Sequence, residues 1–164
     1  MAINPDLFRK VLSRFATGVS IVTARHGDEI HGLTANSFCS VSLEPPLVLV
    51  CVDQNAHSHD LIQQGGNFAV NILAAAQEEL SQRFATDHLS AAERFAGINF
   101  HTEITGAPIL EESLGWLDCK LFAAYAGGDH TIFVGEVVAM GQPQVDRPLL
   151  YYQSRYQKLP WINF

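Results

Sequence analysis

The stretch Gly32–Val50, GLTANSFCSVSLEPPLVLV, concentrates the groups in this chain best suited to holding a polar ligand. Thr34, Asn36, Ser37 and Ser40 carry hydroxyl and amide groups that can donate to phosphate or ring-carbonyl oxygens, and Ala35 lets backbone N–H groups come close. Val41 adds an apolar contact. None of these side chains is charged, so the chemistry is recognition by hydrogen bonding. A serine-rich turn whose hydroxyls cap backbone groups is the competing reading of the same residues. A second candidate is His130, which follows Gly127-Gly128-Asp129 and leads straight into the apolar run TIFVGEV. That order places an imidazole on a polar loop at a strand mouth, where it can position or polarise a bound group. A third is the C-terminal cluster Tyr151, Tyr152, Arg155 and Tyr156, aromatic rings around one cation that can meet a phosphate.

Four separated blocks occur in the order RFATGVSIVTA, GLTANSFCSVSLEPPLVLV, GGDHTIFVGEV and PLLYYQSRYQKL. Together they resemble the short-chain flavin reductase family, the small components of two-component flavin monooxygenases, and the likeness runs from Phe8 to about Leu159. The resemblance implies a mainly β fold, a split antiparallel β-barrel of the FMN-binding type with peripheral helices, and a homodimer with flavin near its interface. It implies an enzyme, an NAD(P)H:flavin oxidoreductase that passes a hydride to FMN or FAD and releases the reduced flavin to a partner monooxygenase. The flavin is then a substrate or a loosely held cofactor. By the same resemblance, Thr34, Ala35, Asn36, Ser37, Ser40 and Val41 form the flavin-contacting segment, and Cys51, Val52 and Asp53 place backbone contacts at the ring edge. Ser58, Phe84 and Ala85, the last two just after Arg83, approach the flavin phosphate or ring. Arg155 and Tyr156 help complete the flavin or nicotinamide site, and His130 lies beside the nicotinamide as the catalytic residue. FMN and FAD both stay open. Both NADH and NADPH do too, with a lean toward NADH because no Lys/Arg cluster marks a 2′-phosphate site. A tightly FMN-binding electron carrier and a non-catalytic flavin- or haem-binding dimer of the same fold are the alternatives.

The elements that must position these residues follow from pattern. Asn4-Pro5-Asp6 predicts a helix start with Asn4 as cap, and Leu7, Phe8, Val11, Leu12 and Phe15 recur at helical spacing, with Gly18 placed to end the helix. Val19–Ala24 predicts a strand, reversed at His26-Gly27-Asp28 into a second that ends near Leu33. The chain should turn at Pro45-Pro46 before Leu47–Val52 runs as a buried strand. A helix over His57–Gln64 closed by Gly65-Gly66, a strand over Phe68–Leu73, and helices over Ala76–Ala85 and around Ser90–Ala96 come next. Two long strands, Trp116–Ala126 and Thr131–Gly141, flank the His130 loop. Strand-rich segments with short interposed helices, and no regular βαβ alternation, favour an antiparallel barrel over a doubly wound sheet.

Composition narrows the partners. A chain of 164 residues that is 48% hydrophobic reads as one domain over residues 1–164 with a core of its own. Ten basic against seventeen acidic residues give a net charge of −7. No basic cluster stands out, which argues against nucleic acid and anionic membrane. Cys39, Cys51 and Cys119 have no metal or redox spacing, lie in apolar or strand-like segments, and read as reduced, buried thiols. No run approaches a membrane span, and MAINPDLF lacks the marks of a signal peptide, so the expectation is a cytoplasmic protein. His57 and His59, two apart at a helix start, do not present both rings to one metal, and no HExxH, zinc spacing, GxSxG or Gly-rich dinucleotide fingerprint occurs. The expected metal content is none.

Overall fold

The computed structural model describes residues 3–143 and 147–159. Asn4 caps helix α1 (Pro5–Leu12), its side-chain oxygen accepting from the N–H groups of Asp6 and Leu7 at 2.9 and 3.0 Å. The helix stops well before Gly18. The N–H groups of Arg14 and Phe15 reach back to Val11 and Leu12, which tightens the last turn, and Gly18 joins a short strand, β1 (Thr17–Gly18). Among the described residues the apolar stripe of α1 is left largely uncovered: Leu7, Phe8, Val11, Leu12 and Phe15 are between 54% and 78% exposed.

Strands β2 (Ser20–His26) and β3 (Glu29–Ala35) form a hairpin around Gly27, whose φ of 58° suits a residue without Cβ. β4 (Cys39–Leu43) turns at Glu44-Pro45 into β5 (Pro46–Asp53). Helix α2 (His57–Gly65) ends at Gly66, left-handed at φ 65°, whose N–H bonds the Ile62 carbonyl. After β6 (Asn67–Ile72) comes a 3₁₀ turn at Ala75–Gln77, then α3 (Glu78–Ala85) and α4 (Ala91–Phe95). The remaining strands are β7 (Phe100–Thr102), β8 (Pro108–Leu110), β9 (Gly115–Gly127), β10 (His130–Gly141), β11 (Leu149–Tyr152) and β12 (Arg155–Lys158).

Seven strands make one antiparallel sheet in the order β3-β2-β6-β9-β10-β5-β4. It curls around a core of Val22, Val50, Val52, Ile62, Phe68, Val70 and Phe133. Its two end strands, β3 and β4, are consecutive in the chain but do not pair, so the barrel is split where residues 36–38 cross between them. The polar segment read from the sequence therefore sits at the split. β5 is not buried on both faces: Val48, Val50 and Val52 point inward, while Leu47, Leu49, Cys51 and Asp53 alternate with them and stay partly exposed. The cause is its neighbour β4, a short edge strand that leaves the outer face of β5 open.

A second cluster of Ile21, Leu73, Phe84, Leu110 and Leu149 lies beneath α3 and the three-stranded sheet β1-β11-β12. The C-terminal segment is thus a hairpin, turning at Gln153 and Ser154 with φ of 50° and 58°. It is tied to the end of α1 through the Gln153 N–H and the Ser13 carbonyl at 2.8 Å. Among the described residues no helix is long and apolar enough to cross a membrane.

Candidate functional site

An open cleft of about 850 Å³ lies between β3, the start of α2, and the chain from α3 into α4. β3 contributes Glu29, His31 and Leu33 from one face and Gly32 and Thr34 from the other. Gly32 lets Phe84 approach: a Cβ there would stand 2.8 Å from the Phe84 ring. The first turn of α2 brings Asn55, Ala56, His57 and Ser58 to the wall. Ala56 offers no side-chain oxygen to the leading N–H groups of α2, so the positive end of the helix is left for another acceptor.

The opposite wall is built by a repeated tripeptide. Arg83-Phe84-Ala85 ends α3 and Arg94-Phe95-Ala96 ends α4, and each arginine reaches the other segment's carbonyls. Arg83 Nη1 donates to Ala96 O at 2.8 Å. Arg94 Nη1 donates to Phe84 O at 2.7 Å and Arg83 O at 3.3 Å, and its Nη2 to Thr86 O at 2.8 Å. The phenyl rings of Phe84 and Phe95 meet edge to face at 5.2 Å. Arg94 is only 6% exposed, and its Nε has no hydrogen-bond partner. Burial pulls its pKa below the ordinary arginine value, against an opposing pull from Asp87. The guanidinium is bonded to neutral carbonyls and forms no direct ion pair with a carboxylate among the described residues, and it lies on the cleft wall.

His31 Nδ1 is 2.6 Å from Ser58 Oγ, and both residues are buried. Burial, then the positive charges of Arg94 and His57, lower the His31 pKa to about 4, with Glu29 opposing, so the ring is neutral near pH 7. Thr34 Oγ1 donates to Ser81 O at 2.6 Å, and Ser81 Oγ meets the Tyr156 hydroxyl at 2.8 Å. A smaller cavity of about 170 Å³, lined by Val19, Thr34, Asn36, Ala85, Tyr151 and Tyr156, continues from the cleft past Thr34 and Ala85.

The residues singled out from the sequence divide accordingly. Thr34, Ser58, Phe84 and Ala85 share the cleft, and Asn36 and Tyr156 share the cavity beside it. Ala35 is buried, its carbonyl accepting from Ser20 Oγ at 2.9 Å. The Ser37 hydroxyl is not free to donate to a ligand. It donates to the Cys51 carbonyl and accepts the Cys51 N–H, both at 3.0 Å, pinning the split segment to β5. Val52 is fully buried in the core, and burial raises the Cys51 thiol pKa; of the three thiols expected to be buried only Cys119 is, since Cys51 is partly exposed and Cys39 lies exposed on the edge strand β4. Ser40 and Val41 lie exposed on the edge strand β4, and Arg155 lies exposed opposite Tyr152; none of the three lines the cleft.

His130 stands apart from the cleft wall. It pairs in register with Asp53 across β5 and β10, and its Nδ1 is 2.7 Å from Asp129 Oδ1. The Asp53 carboxylate is held below its ordinary pKa by the N–H and side chain of Asn55 first, with His130 and His59 adding to the effect. The Gln54 N–H bonds Asp129 O at 3.0 Å, which fixes the His130 turn to the 53–56 turn whose Asn55 and Ala56 line the cleft. Sequence reasoning passed over His31, His57 and Arg94. The alternation Glu29, His31 along one strand face and the doubled Arg-Phe-Ala were the signals available for two of these.

The profile of the family described as "Flavin reductase like domain" matches residues 12–160. The chain belongs to the flavin reductase-like family. It is 39% identical over 156 residues to the flavin-dependent monooxygenase reductase subunit HsaB of Mycobacterium tuberculosis, covering 94% of this chain and 82% of that protein. A putative flavin reductase of Haemophilus somnus superposes with a TM-score of 0.92 at 32% identity, over 96% of this chain and 100% of that one. The NADH:FAD oxidoreductase of Streptomyces globisporus in complex with NAD and FAD fragments superposes with a TM-score of 0.88 at 37% identity, over 98% and 97% of the two chains. The split barrel of this flavin reductase-like chain is the fold it shares with these solved flavin reductases. The donor set also fits a flavin nucleotide, because a helix start without a side-chain cap and a buried guanidinium with an unpartnered Nε suit an anionic phosphate, and the uncharged Thr34–Asn36 region lies beside them.

Proposed function

We propose that this chain is an NAD(P)H:flavin oxidoreductase that reduces diffusible FMN or FAD for a separate monooxygenase. The observation that carries the reading is the cleft where the start of α2 meets the buried Arg94, which shares Thr34 and Ala85 with the uncharged cavity beside Asn36. Phosphate at the first and ring at the second gives a flavin nucleotide an extended place to lie. NADH plus a proton and oxidised flavin yield NAD⁺ and reduced flavin, and the hydride passes from nicotinamide C4 to flavin N5 without a general base. The protein's contribution is juxtaposition: holding two rings about 3.5 Å apart is what converts a slow encounter into a fast step. His130, on a turn braced by Gln54 and Asp129, is placed to orient the nicotinamide from the barrel mouth.

The active species is a homodimer. Leu7, Phe8, Val11, Leu12 and Phe15 on α1, together with Leu43 at 96% and Val41 at 49% exposure on β4, form apolar surface that a second copy would remove from water. Residues 1–164 act as one domain, in the cytoplasm, where NADH is available and reducing conditions suit the free Cys39, Cys51 and Cys119. The test is NADH consumption in air by trace protein supplied with FMN, with FAD, or with neither. Many turnovers only when flavin is added support the reading; flavin binding without turnover defeats it.

A further inference from the structure

His57 is the first residue of α2 and lines the cleft beside the uncapped helix start. Its Nε2 is 2.6 Å from Glu29 Oε1, and both side chains remain about half exposed, at 52% and 55%, so a ligand can reach either. The ring stands edge-on against His31, with centroids 4.9 Å apart and planes at 88°, which fixes its position over the cleft. His31 is in turn bonded to Ser58. The second, independent sign of an anion at this end is Arg94, more than nine-tenths buried on the same cleft, with Nε unpartnered. The carboxylates nearby are already engaged or lie beside a cation. Glu93 accepts from the Ser90 N–H and hydroxyl at 2.8 and 2.6 Å, Asp87 lies close enough to Arg94 to affect its ionisation, and Glu29 is held by His57 itself.

We infer that His57 is a specificity-determining residue that recognises the phosphate of a phosphorylated flavin, releasing Glu29 as the phosphate docks at the start of α2. The inference rests on the reading of this cleft as a flavin site. It adds a residue outside the sequence blocks that carry the family resemblance, and a consequence: the cleft separates flavins by phosphate and not only by ring. Glu29 acts as a placeholder that holds the imidazole in orientation while the cleft is empty. A phosphate brings more acceptor oxygens and more charge to the same donor, and the helix N–H groups beside it add to the exchange.

Titration of the purified protein with FMN and with riboflavin, followed by flavin fluorescence, tests this on the wild type, His57→Gln, His57→Lys and Glu29→Gln. The wild type is expected to favour FMN. His57→Gln should weaken FMN binding by about fivefold to tenfold, the size of one partly exposed charge-assisted contact, and leave riboflavin unchanged. His57→Lys should keep the FMN preference, and Glu29→Gln should hold or tighten FMN binding. Equal weakening of both flavins in His57→Gln would show that His57 only supports the fold of the cleft, and an unchanged FMN affinity would place the phosphate elsewhere. A loss in Glu29→Gln as large as that in His57→Gln would likewise overturn the inference, since the ion pair would then matter and not the charge of His57. Failure of the wild type to bind either flavin defeats the flavin reading itself, whereas normal binding of both without an effect of His57 leaves that reading standing.

Discussion

Acidification from pH 7 to pH 5 should destabilise this protein through His31, and the size of the effect follows from its surroundings. The ring is 8% exposed, bonded to Ser58, and faces the charges of Arg94 and His57, which together with burial lower its pKa from 6.5 to about 4. In the unfolded chain the same imidazole titrates near its ordinary value. Between these two values the unfolded state binds a proton that the folded state refuses, so stability falls as pH falls from 6.5 and the loss levels off below about 4. At 1.36 kcal/mol per fully effective pH unit, the loss from pH 7 to pH 5 is about 2 kcal/mol. Urea denaturation at both pH values, on the wild type and on His31→Gln, isolates the contribution because every other titrating group is common to the two proteins. The wild type should lose about 2 kcal/mol more than the variant over that interval. Equal pH dependence in the two would refute the argument, since it would mean that His31 is already solvated or paired with an acid in the native state.

Other perturbations read different parts of the site. Arg94→Met removes the bonds to three carbonyls, of which that of Phe84 is left buried, so thermal or urea unfolding should report a cost of about 1–3 kcal/mol; a change below 0.5 kcal/mol, within the range of ordinary surface substitutions, would deny the clasp between the two Arg-Phe-Ala segments. Ser37→Ala removes the hydroxyl that joins both backbone groups of Cys51, and equilibrium unfolding should show a loss of roughly 1–2 kcal/mol. Unaltered stability would mean that water takes over both bonds. His130→Ala should slow flavin reduction by roughly tenfold or more, with flavin affinity changed by less than about twofold, as expected of a residue that orients the hydride donor. Comparable losses in rate and affinity would remove that role. Phe8→Asp combined with Leu12→Asp should halve the mass seen by light scattering after gel filtration, and an unchanged mass would move the dimer contact off α1.

Much of the fold was legible in the sequence, and the exceptions have physical causes. Helix α1 was announced by its cap and its stripe, yet its end was misplaced, because the Thr-Gly pair at 17–18 serves a strand whose partner, Leu150 and Tyr151, lies near the other end of the chain. β4 carries Ser and Cys at positions where a buried strand would be apolar, and only the barrel edge makes that composition tolerable. The hairpin of β11 and β12 turns on Gln-Ser, a pair without the usual Asn-Gly signal, so it read as a tail. For the site, the polar Thr34–Ser37 run was visible as chemistry, but Ser37 could not be told from a ligand donor until Cys51 was seen opposite it. His31 and Arg94 left only faint signals for a different reason: each lies in an ordinary amphipathic segment, and its importance comes from burial and, for His31, from the charge of Arg94, which only the packed chain provides.

The central claim is that reduced flavin leaves. Under strict exclusion of oxygen, with trace protein, excess NADH and excess free flavin, absorbance near 450 nm should bleach by many equivalents of flavin per chain. Bleaching that stops at one equivalent would instead describe a protein that keeps its flavin, and would contradict the account.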